Sequence, residues 1–226
     1  MALLLANWKS NKSLPEASSW IERVHQAGID NLHEVIVAVP FPFVFPLSEQ
    51  LAKLDSKLSL ATQSLSSFPQ GAYTGEVHPT QILGSRATYS ILGHSERRRY
   101  QHETVQDVLN KIEFAIEAGI TPVVCVDKDT FHHQLDGISK DMLDRMVVAY
   151  EPIESIGTGV AEELGTTLEV VTQIHTLTSP TLRVLYGGSV SAENISRYTK
   201  QTPMAGVLVG SASLDASSWI DLCRAA

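Results

Sequence analysis

Cysteine is scarce: only Cys125 and Cys223 occur in 226 residues. Two thiols make no disulfide framework, so a reducing, cytoplasmic setting is the expectation. Long apolar runs are also missing. No stretch approaches the ~18 consecutive apolar residues of a membrane span, and the opening Leu3-Leu4-Leu5 run is too short for a signal-peptide core and lacks a basic flank. Basic residues are in deficit, with 17 Lys and Arg against 25 Asp and Glu, a net charge of −8 and a pI near 5.4. That balance argues against a nucleic-acid or anionic-membrane partner, and an anionic substrate would have to be drawn in by local donors rather than by the overall field. No low-complexity run, Pro-rich linker or charge block marks a domain boundary. The patterns G-x-x-x-x-G-K and H-E-x-x-H are absent, which removes support for a P-loop NTPase or a zinc protease.

What is present is a regular alternation. Apolar segments at Leu3–Ala6, Val35–Val39, Leu58–Thr62, Tyr89–Leu92, Pro122–Val126, Met146–Tyr150, Arg183–Tyr186 and Gly206–Val209 read as strands. They are continuous rather than alternating in hydrophobicity, the pattern of parallel strands buried on both faces. Helical patterns lie between them. Ser13-Leu14-Pro15-Glu16 has capping-box spacing and opens a helix through Ala17, Trp20, Ile21 and Val24. Others are expected at Val44–Leu54, Thr167–Leu177 and Asn194–Lys200, and at the chain's end through Trp219, Ile220 and Leu222. Thr104 caps one whose buried face should be Val105, Val108, Leu109, Ile112 and Ile116, and a single weak helix is read between Asp127 and Asp144. Eight units of about 28 residues predict an α/β fold, a (β/α)8 barrel forming a single domain over residues 1–226. The competing open, doubly wound sheet would carry a Gly-rich fingerprint after an early strand, and none is present.

In such a barrel the C-terminal strand ends converge on one mouth. Asn7, Lys9, His94, Glu96, Glu151, Ser189 and Gly210 all fall just past predicted strands. Glu151 closes the sixth, and Pro152, without an N–H for the ladder, ends it at once. Gly157 and Gly159 then flank Thr158, a layout that suits a loop closing over a general base. Singly, each residue has a plainer account: a solvated lysine, a satisfied histidine, a charged helix start, a turn. Their common placement is what argues for a site. Three other readings stand beside it. Gly93-His94-Ser95-Glu96-Arg97 nearly copies the G-x-S-x-G elbow of a serine hydrolase, although Arg97 is too large for its last position. A phosphate-binding barrel aldolase could use Lys9 as a Schiff base. A barrel that only binds phosphate would not need the base.

The motifs Asn7-Trp8-Lys9, Gly71-Ala72-Tyr73-Thr74-Gly75-Glu76, Gly93-His94-Ser95-Glu96-Arg97-Arg98, Ala149-Tyr150-Glu151-Pro152 with Ile156-Gly157-Thr158-Gly159, and Tyr186-Gly187-Gly188-Ser189-Val190 occur in this order on five βα loops. Over nearly its whole length the chain resembles the triosephosphate isomerases, a family that is itself a standard worked case of base, electrophile and closing loop. The resemblance implies interconversion of dihydroxyacetone phosphate and glyceraldehyde 3-phosphate through an enediolate, in glycolysis and gluconeogenesis. It implies Glu151 as the base, and a neutral His94 with Lys9 and Asn7 as donors to the developing oxyanion. Glu96 would orient Lys9 or His94. Backbone N–H groups of Gly157, Ser189, Gly210 and Ser211 would hold the phosphate, and Pro152 to Gly159 would be the lid. No metal or organic cofactor is implied. The Tyr73-Thr74-Gly75 loop would insert into a neighbouring subunit, giving a homodimer or a higher homo-oligomer. The chain departs from the family pattern at Glu154, where tryptophan is common, at Ser211, where a second glycine is usual, at Asp127-Lys128 in place of Gly-Glu, and at Ser64 in place of Asn.

Overall fold

In a computed structural model, residues 1–155, 157, 159–200 and 203–226 are described. Eight parallel strands, β1 (Leu3–Asn7), β2 (Glu34–Val39), β3 (Ser59–Thr62), β4 (Ala87–Leu92), β5 (Thr121–Val126), β6 (Val147–Tyr150), β7 (Arg183–Tyr186) and β8 (Gly206–Val209), each pair with the next. β8 returns to β1, from Leu3 opposite Gly206 to Ala6 opposite Val209, and closes the barrel. The α-helices around it are α1 (Leu14–Gln26), α2 (Val44–Lys53), α3 (Ser95–Tyr100), α4 (Val105–Glu117), α5 (Phe131–Leu135), α6 (Lys140–Leu143), α7 (Leu164–Leu177), α8 (Ser196–Thr199) and α9 (Ala216–Ala225). No helix among the described residues is long and apolar enough to cross a membrane.

Period-2 alternation along each strand sorts the apolar residues into two cores. Leu3, Leu5, Ile36, Ala38, Ala61, Ile91, Val123, Cys125, Val147, Ala149, Leu185 and Leu208 fill the barrel. Leu4, Ala6, Val35, Val37, Val124, Val148, Val184 and Val207 face outward, where they pack with helix residues such as Ile21, Leu51, Ile112 and Val171. Both faces are buried, which is why the strands carry no polar alternation. The seam depends on Gly206: at φ 155°, a Cβ there would lie 1.9 Å from the Leu3 carbonyl oxygen. Trp8, on the β1 turn, meets Trp20 of α1 edge-on at 5.0 Å, and Trp20 donates through Nε1 to the Ser213 carbonyl at 3.0 Å, fastening the end of the chain to its beginning.

The helices differ from the sequence reading in several places, α8 being shorter than Asn194–Lys200 and Leu109 of α4 only partly buried. Val105 is exposed, and Lys111 completes the buried face of α4 instead. Its ammonium pairs with Glu103 and lies 3.1 Å from Ser64 Oγ, a buried ion pair that apolar periodicity cannot register. The segment after Asp127 holds two short helices rather than one, the second capped by Ser139 Oγ, which accepts from the Met142 N–H at 3.3 Å. α7 starts at Leu164, ahead of Thr167, with Glu163 as its N-cap, and the Thr167 hydroxyl donates back to Glu162, which precedes the helix.

Candidate active site

The inward parity of the strands carries past their ends. Leu3, Leu5 and Asn7 share one face of β1, and Val147, Ala149 and Glu151 share one face at β6. The same alternation that packs the barrel therefore delivers Asn7 and Glu151 to its mouth.

Lys9 follows through a turn. Its φ is 53°, a left-handed conformation that costs a non-glycine residue about 1–2 kcal/mol. Three contacts hold it there. The Asn7 side-chain oxygen accepts from the Lys9 N–H at 3.0 Å, Gln63 Nε2 donates to the Lys9 carbonyl at 2.8 Å, and Lys9 Nζ lies 2.6 Å from Glu96 Oε1. The ammonium thus rests against the Glu96 carboxylate.

His94 departs from the inward parity of β4, and Gly93 re-aims it. Gly93 has φ 67°, and a Cβ would sit 3.1 Å from Val108. His94 is the N-cap of α3: its Nδ1 accepts from the Glu96 N–H at 3.1 Å. An accepting Nδ1 carries no proton, so the ring is the neutral tautomer and Nε2 is the donor. Nε2 lies 3.1 Å from Glu151 Oε1. The other carboxylate oxygen accepts from the Ser95 N–H at 2.9 Å, and the Glu151 N–H donates to the Val126 carbonyl at 2.7 Å. Glu151 is 1% exposed. The Cys125 thiol beside it is pushed well above its ordinary range, by burial first and by the Glu151 charge next, so it stays protonated. The second glycine-rich turn makes room. A Cβ on Gly187 would lie 3.2 Å from Glu151 Cγ, and one on Gly188 would lie 2.3 Å from Tyr186 Oη.

Lys9, His94 and Glu151 line one cavity of about 320 Å³ together with Gly157, Ser189, Gly210 and Ser211. Asn7 is set one step aside, in the adjoining recess with Lys9, Gln63, His94 and Glu96. Gly210 has φ −86°, and Ser211, which opens a short 3-10 turn, is not left-handed, so its side chain adds no backbone strain to that rim. The loop expected over the cavity includes Ile156 and Thr158, which lie outside the described residues. Sequence reading passed over Gln63, Cys125 and Asn194, whose Nδ2 donates to the Ser189 carbonyl at 3.2 Å. Each supports a neighbour's backbone or volume, and only the polar residues just beyond β3 and before α8 could have signalled it. Among the described residues no group of three or more His, Cys, Asp or Glu is placed to hold a metal ion.

A closed parallel barrel with titratable side chains and glycine-rich turns gathered at its C-terminal mouth is the architecture of a (β/α)8-barrel enzyme. Among such enzymes the comparison is specific. The family model for triosephosphate isomerase matches residues 2–226. A triosephosphate isomerase of Mesomycoplasma hyorhinis is 38% identical, covering 97% of this chain and 96% of its own. One from Dehalococcoides mccartyi, strain CBDB1, is 35% identical over 99% of this chain and 96% of its own, and one from Lactococcus lactis subsp. lactis is 35% identical over 97% and 96%. The chain belongs to the triosephosphate isomerase family.

Proposed function

We propose that Glu151, His94 and Lys9 carry the chemistry of this isomerase, the interconversion of dihydroxyacetone phosphate and D-glyceraldehyde 3-phosphate. The observation that supports it most is their meeting on one cavity whose opposite rim is Gly157, Ser189, Gly210 and Ser211. Glu151 takes a proton from the carbon beside the carbonyl and returns it to the neighbouring carbon. Charge building on the oxygen is met by His94 Nε2–H and the Lys9 ammonium, and Asn7 completes that polar wall by bracing Lys9. A positioned base contributes about 10²–10⁴-fold, and a preorganised donor about 3–4 kcal/mol. Glu151 Oε1 lies against the His94 donor, and Oε2 accepts from the Ser95 N–H. Substrate oxygen arriving at Nε2 displaces the carboxylate and turns it towards the carbon it must deprotonate. The phosphate rests on backbone N–H groups at Gly157, Ser189, Gly210 and Ser211, and the loop after Pro152 covers it, keeping water from the enediolate.

We take residues 1–226 as one catalytic domain, working in the cytoplasm as a homodimer or larger homo-oligomer. Support for self-association lies in the Gly71–Glu76 loop, where Tyr73 stacks on Phe68 at 4.6 Å while both rings remain 41% and 45% exposed. Sedimentation that returned only monomer at micromolar concentration would remove it.

The deciding test is a coupled assay with glyceraldehyde 3-phosphate, run with solvent-proton exchange at the carbon next to the carbonyl. Glu151→Gln is expected to abolish isomerisation and exchange while a phosphate analogue still binds. Turnover like the parent's would remove Glu151 from the role of base.

A further inference from the structure

The turn after β8 has the cavity in front of it and other elements behind it. Gly210 and Ser211 line the cavity. The 3-10 turn Ser211–Ser213 closes on itself. The Ser213 N–H and Oγ both donate to the Gly210 carbonyl, at 2.9 and 2.7 Å, and the Leu214 N–H donates to the Ser211 carbonyl at 3.1 Å. The next two carbonyls are taken from outside the turn. Trp20 Nε1 of α1 donates to the Ser213 carbonyl at 3.0 Å, and Lys12 Nζ donates to the Leu214 carbonyl at 2.5 Å, across 202 positions of sequence.

Lys12 stands where the backbone favours another residue. Its φ is 70°, in the left-handed region that glycine enters without a steric cost. Its ammonium lies 5.3 Å from the centre of the Trp8 ring, a cation–π contact. Burial, foremost, holds that ammonium below its ordinary value of 10.5, while the charges of Glu16 and Asp215 pull the other way. A bulky residue kept in a costly conformation, with its charge drawn partly out of water, points to a use for the side chain.

That use is legible in what Lys12 joins. Trp8 lies between Asn7 and Lys9, and Asn11 Nδ2 donates to its carbonyl at 2.8 Å, so the ring under Lys12 belongs to the turn that carries the Lys9 ammonium. On the far side, a Cβ added to Gly210 would lie 3.5 Å from Lys9 Cε, so the turn after β8 abuts the Lys9 stem directly.

We propose that Lys12 is a positioning residue for the phosphate end of the substrate: its ammonium, seated on Trp8, holds the Leu214 carbonyl from behind and so aims the Gly210 and Ser211 N–H groups into the cavity. The proposal rests on those two N–H groups receiving the phosphate. Without the tether the rim can turn away from its ligand. The loss should then fall on binding of the phosphorylated substrate rather than on proton transfer.

The test compares Lys12→Met, Lys12→Gly and Lys12→Arg with the parent. Lys53→Met, on an exposed lysine of α2, controls for the removed charge. Measured for each are kcat and KM for glyceraldehyde 3-phosphate, the inhibition constant of inorganic phosphate, solvent-proton exchange into unphosphorylated glyceraldehyde, and the thermal midpoint. Lys12→Met is expected to raise KM and the phosphate inhibition constant about five- to tenfold while kcat stays within about twofold of the parent. Exchange into glyceraldehyde should not change. Lys12→Gly removes the steric cost of the bend together with the ammonium, so its midpoint should match or exceed that of Lys12→Met while its KM stays as high. Lys12→Arg, which keeps a cationic donor, should recover most of the affinity, and Lys53→Met should match the parent. A Lys12→Gly enzyme with the parent's KM overturns the proposal, because the residue would then serve only the bend of the chain. A loss of exchange into glyceraldehyde as large as the loss with the phosphorylated substrate also overturns it, by placing the damage at the base. Failure of inorganic phosphate to compete in the parent would sink the reading of the rim as a phosphate site, and the proposal with it, whatever the Lys12 variants do.

Discussion

At the floor of the barrel Glu34, Tyr89 and Arg183 have the inward parity of Ile36, Ile91 and Leu185; at its mouth Asn7 and Glu151 have that of Leu5 and Ala149. The floor residues satisfy one another. Tyr89 donates to Glu34 Oε1 at 2.5 Å, and Arg183 Nη1 lies 3.2 Å from Glu34 Oε2, so three strands that are not neighbours meet inside the ring. At the mouth the polar groups are equally well held, but around a cavity. Glu151 and His94 share a contact that faces the cavity, and among the described residues Glu96 braces the Lys9 ammonium. Chemistry-bearing residue types therefore do not make a site. A site needs those groups fixed by partners behind them and an unfilled volume in front.

Five substitutions test that contrast, four of them in falling order of effect and Gly210→Ala as the comparison for the second. Lys9→Met, which removes the ammonium but not the stem, should cut kcat about 10²–10³-fold with little change in thermal midpoint. A comparable loss of stability would mean that the mouth is as structural as the floor. Gly188→Ala should come next. Its Cβ would fall 2.3 Å from Tyr186 Oη and 3.0 Å from Pro152 Cγ, an overpacking of about 1–3 kcal/mol that pushes on the loop as well as on the turn. KM for the triose phosphate should rise, whereas Gly210→Ala, whose Cβ would meet Lys9 Cε at 3.5 Å and Nζ at 3.8 Å in ordinary contact, should stay near the parent. Equal effects from the two alanines would show that the turns tolerate bulk without regard to what lies behind them.

At the floor, Arg183→Met should leave kcat and KM unchanged. Both partners of the ion pair are 40% exposed, so solvent screens it and the loss is about 1 kcal/mol or less, roughly 2–4 °C in the midpoint. Tyr89→Phe should have the smallest effect, and it depends on pH. Burial first, and the Glu34 carboxylate next, raise the Tyr89 phenol above its ordinary value of 10.0. A group raised on folding contributes stability that is present below the unfolded value and lost as pH climbs through the folded one. The parent should accordingly lose midpoint faster than the variant above pH 10.0, where the phenol of the unfolded chain ionises. Identical alkaline slopes would remove Tyr89 from the floor's contribution.

Much of the frame was legible because it is local. Continuous apolar runs marked eight parallel strands, and β7 and β8 fall on the expected residues. The Ser13 capping box and the Thr104 cap fell where they were expected, and Asp107 completes a box at the second. Placement after strands singled out Asn7, Lys9, His94, Glu151, Ser189 and Gly210, since a barrel brings strand ends together whatever their distance along the chain. Long-range partners were not legible. Nothing near Lys9 points to Gln63, nothing near Lys111 to Ser64, and nothing near Glu162 to tyrosines on β6, β7 and α8.

The sequence by itself determined the strand count, the two-faced burial and the identity of the groups beyond the strand ends, because periodicity, capping and backbone freedom act over a few residues. Which polar groups pair, and which are left facing a cavity, was decided by closure of the ring. Closure brings Glu34 to Arg183 across 149 positions and His94 to Glu151 across 57, and both contacts require all eight strands to be in register.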